Sequence, residues 1–294
     1  MYHSTMTLRN GRNVPRSMIG VLGRWAGYTV LLIALAALWG RTASAAGSGE
    51  DRKTIENESD SEKDEPRARK TIPLSVAKVL IEVNETDGDS GFHISCDGGG
   101  WKSMTLYGPK TMVVNIKASG GARKTGLTEL FIESAEPGFE DLPLAEFLKR
   151  FPAGVYRFVG ETIDGDLLVG QHTLTHILPF APTLLAPAKD SVQDPSNTVI
   201  KWELPSQPVG GSIVRYEVIV IDLTSVPKRV FSAVVPASVK SMNVPAQFLM
   251  PKQSYTFEVI AIEAGGNQTL AESRFTTAAA APKPRQNTEA LNQK

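Results

Sequence analysis

The stretch LMPKQSYTFEVIA, residues 249–261, decides the fold of the C-terminal third of this chain. From Tyr255 onward, Tyr255, Phe257, Val259 and Ala261 fall at every second position, with polar Thr256 and Glu258 between the first three, the period of two that marks a strand with one buried face. Leu249 and Pro251 precede the tyrosine as a turn. A tyrosine at the mouth of a strand, just after such a turn, is the sequence form of a tyrosine corner. That device belongs to antiparallel β-sandwiches, where the hydroxyl reaches back to the preceding backbone.

Working outward, the same third of the chain offers Pro182, Pro187, Trp202 within IKWELP, Tyr216 within RYEVIVID, and the closing AIEAGGNQTLAESRFTT. In this order and spacing, with the Leu249/Pro251/Tyr255 corner, the segment resembles a fibronectin type III domain. The resemblance covers about residues 181–277 and implies a seven-stranded sandwich. It implies Trp202 and Tyr216 as core residues and Gly265-Gly266-Asn267 as the last hairpin loop. That loop carries no Arg-Gly-Asp, so integrin-type adhesion is not implied. Members of the family bind unrelated partners or space other modules, so the fold alone does not give a function.

The preceding segment, residues 71–180, also reads as strands. Val76 to Val83, FHISC (92–96), Trp101 to Tyr107, Met112 to Ile116 and Leu127 to Ile132 supply alternating runs, and Asp97-Gly98-Gly99-Gly100 reads as a turn. Asp164-Gly165 joins two apolar runs as a hairpin. One helix interrupts them: Leu144, Phe147, Leu148 and Phe151 fall at helical spacing, with Asp141 as cap and Pro143 in the first turn. The expected fold is therefore mostly all-β, two tandem β-sandwich domains of immunoglobulin or fibronectin III type, the first with one short helix.

At the N-terminus, Arg9, Arg12, Arg16 and Arg24 precede an uncharged apolar run from Trp25 to Gly40, then Ala43-Ser44-Ala45. This is the order of a secretory signal peptide over residues 1–45, cleaved between Ala45 and Ala46. The apolar run is shorter than the ~20 residues of a membrane span. Arg41 beside the cleavage site leaves an uncleaved inner-membrane signal anchor as the alternative. Residues 46–70 are densely charged with one large apolar residue, Ile55, and read as a disordered linker. Residues 278–294 read as a disordered tail. The whole arrangement resembles exported bacterial proteins, periplasmic or extracellular, that carry such a domain at the C-terminus.

Lys plus Arg and Asp plus Glu are both 31, so no overall field favours nucleic acid, and after signal cleavage no stable membrane insertion is expected. The one cysteine, Cys96, excludes a disulfide-stapled miniprotein and reads as a buried small hydrophobe. His172 and His176 have H-x-x-x-H spacing. On a strand, however, residues four apart stand about 13 Å from each other, too far to share zinc. Glu82, Asn84, Glu85, Asp87 and Asp89 cluster beside Gly88 and Gly91, and Glu85, Asp87 and Asp89 are the candidate metal ligands, for calcium, although their order does not match an EF-hand loop. Glu129, Glu133 and Glu136 read as a solvated strand edge and loop. Phe92, Trp101, Tyr107 and Phe131 are core aromatics or a platform for a glycan or peptide, with Trp101, after three glycines, the one expected to be exposed. Asn57, Asn84 and Asn267 open N-x-S/T sequons.

No nucleophile elbow, zincin motif, P-loop or dinucleotide fingerprint occurs. The expected function is a non-catalytic exported protein that binds an envelope protein or polysaccharide, without cofactor. The alternatives are a calcium-dependent or carbohydrate-binding accessory module, and an enzyme with a site in the first domain.

Overall fold

The computed structural model describes residues 67–204 and 211–279. The signal peptide, its cleavage at Ala45 and Ala46, almost all of the charged linker and nearly all of the tail lie outside the described residues.

The first unit comprises β1 (Thr71–Pro73), β2 (Val76–Asn84), β3 (Asp89–Tyr107), β4 (Met112–Lys117), α1 (Gly120–Thr125), β5 (Leu127–Glu133), α2 (Leu144–Arg150), β6 (Gly154–Thr162) and β7 (Leu167–Leu174). Its organising element is β3, 19 residues long. Residues 89–97 pair antiparallel with β2 and β5, and residues 101–107 with β6 and β4. The ladders shift register between Asp97 and Trp101, so the glycines at 98–100 do not make the expected turn. They lie where β3 passes from its pairing with β2 and β5 to its pairing with β6 and β4. A side chain at Gly98 would stand 2.6 Å from Leu74, and one at Gly126 would stand 2.8 Å from Gly100. Close approach favours glycine at 98 and at 126, where φ is also positive, whereas Gly99 faces open space.

The two halves of β3 enclose a core of Val79, Ile81, Phe92, Ile94, Cys96, Trp101, Met104, Leu106, Tyr156, Phe158 and Leu168. Trp101, expected at the surface, is fully buried. As a result, Phe92, Trp101, Tyr107 and Phe131 form no aromatic platform: the first two are core and Tyr107 is exposed. Helix α2 packs Phe147 against this core, and Phe151 just beyond it stacks on Phe92 at 4.3 Å. Pro143, not Asp141, is its N-cap residue, and no side chain caps it. The unit also holds a second helix, α1, where one was expected. It buries no residue, so it leaves no amphipathic period in the sequence.

The second unit comprises β8 (Thr183–Ala186), β9 (Ser191–Gln193), β10 (Val199–Glu203), β11 (Ile213–Asp222), β12 (Arg229–Pro236), β13 (Ser241–Asn243), β14 (Ser254–Glu263) and β15 (Gln268–Thr277). A three-stranded sheet, β13-β10-β8, faces the four strands β15-β14-β11-β12. Between them lie Ile200, Trp202, Tyr216, Val218, Val220, Leu249, Tyr255, Phe257, Val259 and Phe275. Trp202 and Tyr216 meet edge to face at 5.5 Å. The Tyr255 hydroxyl accepts a hydrogen bond from Met250 N at 2.8 Å, which makes the corner: the ring fills the core while its polar tip ties down the turn around Pro251. Gly265-Gly266-Asn267 forms the β14–β15 loop, with Gly266 at φ 98°.

The two sandwiches share one sheet. Strand β15 pairs in parallel with β2, Gln268 opposite Glu82, Thr269 opposite Val83 and Leu270 opposite Asn84. The resulting order is β1-β7-β6-β3-β2-β15-β14-β11-β12, with β5 also on β3. Strands β5 and β12 stand six strand spacings apart, about 29 Å in a flat sheet. Yet Phe131 of β5 and Val234 of β12 line one cavity, so this run is curled about it. Its inner face carries Ile219, Ile221, Ile260, Ile262 and Leu270, a buried cluster on the side of β11, β14 and β15 opposite the sandwich core.

Candidate functional site

The concave side of the shared sheet gathers polar groups that the sequence scatters over nearly two hundred residues. Strand alternation dictates which they are. On β2, Val79, Ile81 and Val83 enter the first core, so Lys78, Leu80 and Glu82 point the other way. On β3, Phe92, Ile94 and Cys96 point inward, which sends Gly91, His93 and Ser95 to the junction. Phe131 follows from β5, and Arg215, Glu217, Ile262 and Gln268 come from the second unit. The cavity between them holds about 90 Å³.

At one edge of this face, Glu82, His93, Glu133 and Glu136 converge. One ligand-type atom of each lies within 4.8 Å of all the others. Glu82 and His93 are buried, and Glu133 and Glu136 half-buried. His93 Nε2 stands 3.1 Å from Glu133 Oε1, and its ring meets Phe131 edge-on at 5.7 Å. Glu82 accepts a hydrogen bond from Gln268 Nε2, which ties the cluster to the second unit. Glu136 belongs to the loop after β5, and that loop is clipped to the start of β3. Ser134 N donates to Phe92 O, Phe139 N donates to Gly88 O, and Asp89 and Gly138 form an isolated bridge. The clip lays Glu136 across Gly91. A Cβ at Gly91 would lie 3.1 Å from Glu136 Oε1 and 3.2 Å from His93 Nε2, so glycine makes the seat on which both side chains rest.

Charge is concentrated here. Burial pushes the Glu217 carboxyl above the usual range; a hydrogen bond from Ser232 opposes this, and the Glu82 carboxylate adds to it. Burial and the Arg215 guanidinium lower the Lys78 ammonium, against Glu217 and Glu263. A carboxylate of each unit therefore faces the other across the junction.

Glu133 and Glu136 are thus not the solvated edge that the sequence suggested, although Glu129 is exposed. Their charge pattern resembles any acidic surface, and only the clipped loop turns them inward. The signal available in the sequence was Glu82 within VLIEV and His93 within FHISC, charged or polar residues inside strands that are otherwise apolar. Glu85 and Asp87 occupy the turn between β2 and β3, and Asp89 is the first residue of β3, opposite Asn84. There Asn84 Oδ1 accepts from Thr86 N and Asp87 N, and Asn84 Nδ2 donates to Asp87 Oδ2 at 3.0 Å. They do not join the Glu82 cluster. His172 lies half-buried in β7, while His176 lies beyond it with Nε2 2.8 Å from Phe151 O, so the pair shares no ligand position. Two sequon asparagines, Asn84 and Asn267, are buried with their amides engaged; Asn57 lies outside the described residues.

Asn267 closes the junction on its other side. Its Oδ1 accepts from Ile81 N at 2.9 Å, and its Nδ2 donates to Thr175 O, Thr175 Oγ1 and Ile177 O at 2.9–3.0 Å. One side chain thereby joins β2, the β14–β15 loop and the connection between the units. At the far edge, Arg67 pairs with Asp166 and Lys70 N donates to its other oxygen at 2.9 Å. The end of the charged linker is docked, not merely solvated.

Strand order, facing sheets and a tyrosine corner define a β-sandwich protein with a fibronectin type III-like C-terminal unit. No family model matches the sequence, and no curated protein matches it. Among solved structures, it is similar to the FN1–FN3 domains of chicken CNTN1, 13% identical, covering 71% of this chain and 67% of that one at a TM-score of 0.29. It is similar also to a two-domain fibronectin type III segment of chicken tenascin, 9% identical over 69% and 99% at 0.26. A computationally redesigned β-sandwich protein is 16% identical over 35% and 97% at 0.26.

Proposed function

We propose that the chain is an exported, non-catalytic binding or structural protein of the cell envelope, whose two sandwiches act as one rigid body. The observation that carries this reading is the β2–β15 pairing, which continues one sheet through both units. Tandem modules that meet only through a linker move independently by default. Here backbone hydrogen bonds and the Asn267 side chain fix the angle between them, which suits a protein that spaces or presents surfaces. Export is supported by the arginines, apolar run and A-x-A order of the first 45 residues.

Two measurements test the proposal. A reporter enzyme active only outside the cytoplasm, fused after Lys294, should be active, and activity should vanish when Leu31, Leu32 and Leu35 are changed to Asp. The mature chain should also co-sediment with isolated cell-wall polysaccharide or bind an envelope protein at defined stoichiometry. A chain that stays in the cytoplasm, or that turns over envelope glycans, refutes the reading.

A further inference from the structure

We propose that Glu82, His93, Glu133 and Glu136 form a binding site for one divalent first-row transition ion, of the zinc or manganese class, beside the junction of the two units. The inference is independent of the envelope role.

Three features of the donor set support it. First, it is mixed: an imidazole nitrogen with three carboxylates, the ligand chemistry of zinc and manganese, whereas calcium and magnesium take oxygen alone. Second, one pair of the atoms already stands at coordination spacing. The 3.1 Å between His93 Nε2 and Glu133 Oε1 is the edge expected between neighbouring ligands, about 3.0–3.4 Å for metal–ligand bonds of ~2.1 Å. The widest separation within the set, up to 4.8 Å, must close by about 1.4 Å to reach that edge, and Glu133 and Glu136, half-buried, are the side chains with room to turn. Third, the surroundings hold the ligands in place. Gly91 leaves the space over which His93 and Glu136 meet, and Gln268 fixes one oxygen of Glu82, the outer-shell arrangement that orients metal ligands. A dication also answers the charge pattern: four carboxylates, counting Glu217, approach this junction with Lys78 and Arg215 as neighbouring cations.

All four ligands belong to the first unit, and Gln268 of the second unit touches the set through its hydrogen bond to Glu82. The Glu85/Asp87/Asp89 turn is not part of it.

The test uses tag-free chain stripped with chelator and then titrated with zinc chloride or manganese chloride, with calcium chloride as comparison. Calorimetry should give one ion per chain for zinc or manganese, and the melting temperature should rise with ion concentration, since a ligand bound only to the folded state stabilises it. Glu133→Gln and His93→Gln should each weaken binding at least tenfold, while an Asp87→Asn/Asp89→Asn variant should bind as before. Absence of stoichiometric zinc or manganese binding by the unmutated chain overturns the proposal, whatever the variants do. So does binding that survives both His93→Gln and Glu133→Gln, which would place the ion at His172, His176 or elsewhere. Calcium binding abolished only by Asp87→Asn/Asp89→Asn, with no zinc or manganese uptake, also overturns it and assigns the site to the hairpin.

Discussion

Replacing Asn267 with Ala should unlock the junction without touching either core. The Asn267 side chain is buried, 1% exposed, and makes four polar contacts. Truncation strands Ile81 N, on a residue with no solvent exposure, and a buried donor without a partner costs ~1–3 kcal/mol. The lost donations to Thr175 and Ile177 add about 1 kcal/mol more, because Ile177 lies at the surface and water replaces part of that contact. The expected destabilisation is therefore ~2–4 kcal/mol, and it should fall on the coupling between the units. Two buried tryptophans make this readable, Trp101 in the first core and Trp202 in the second. In urea, with Trp101→Phe and Trp202→Phe backgrounds reporting one unit each, the unmutated junction should give coincident midpoints. Asn267→Ala should lower at least one midpoint and separate the two. Asn267→Asp, which keeps an acceptor for Ile81 N but cannot donate to the carbonyls, should also destabilise. Midpoints that stay coincident, with a loss below ~0.5 kcal/mol, would refute the view that this residue couples the sandwiches.

Other outcomes follow from single side chains. Tyr255→Phe should cost about 1 kcal/mol, the hydrogen bond from Met250 N, in the second unit's unfolding transition; an unchanged midpoint would argue against the corner. Burial, with Asp97 and Glu129 adding to it, pushes the Cys96 thiol up to about 11, so native protein should react with a thiol reagent at pH 7.5 only as it unfolds. Fast labelling of the folded chain would contradict this. Burial alone would raise Asp222, but hydrogen bonds from Ser225, Arg229 and the Thr224 and Ser225 amides outweigh it and hold the carboxyl below its usual range. Its contribution is complete above the unfolded value of ~3.9 and is lost as pH falls through the lower folded value. The stability difference between the native chain and Asp222→Asn should thus be constant near neutrality and shrink below about pH 4; a difference unchanged down to pH 2 would sink this reading.

The sequence by itself determined the local rules: alternation in residues 255–261, the corner, the Asp164-Gly165 hairpin and the helix containing Phe147 are all short-range patterns, and each has its counterpart in the structure. Patterns of this kind are legible because a strand or helix writes its burial into a fixed period. Where a residue obeyed two demands, the sequence was ambiguous. The Gly98–Gly100 run reads as a turn, yet it lies inside a single 19-residue strand with Gly98 packed against Leu74, and Trp101 after it belongs to the core. Only the tertiary structure decided that β15 lies parallel to β2, because nothing local encodes a pairing between residues 186 positions apart, such as Glu82 and Gln268. That pairing selects the candidate site. Alternation fixes that Glu82 and His93 point away from the first core, but what they meet there depends on a sheet that curls, and on a loop clipped at Asp89 and Gly138 that carries Glu136 over Gly91.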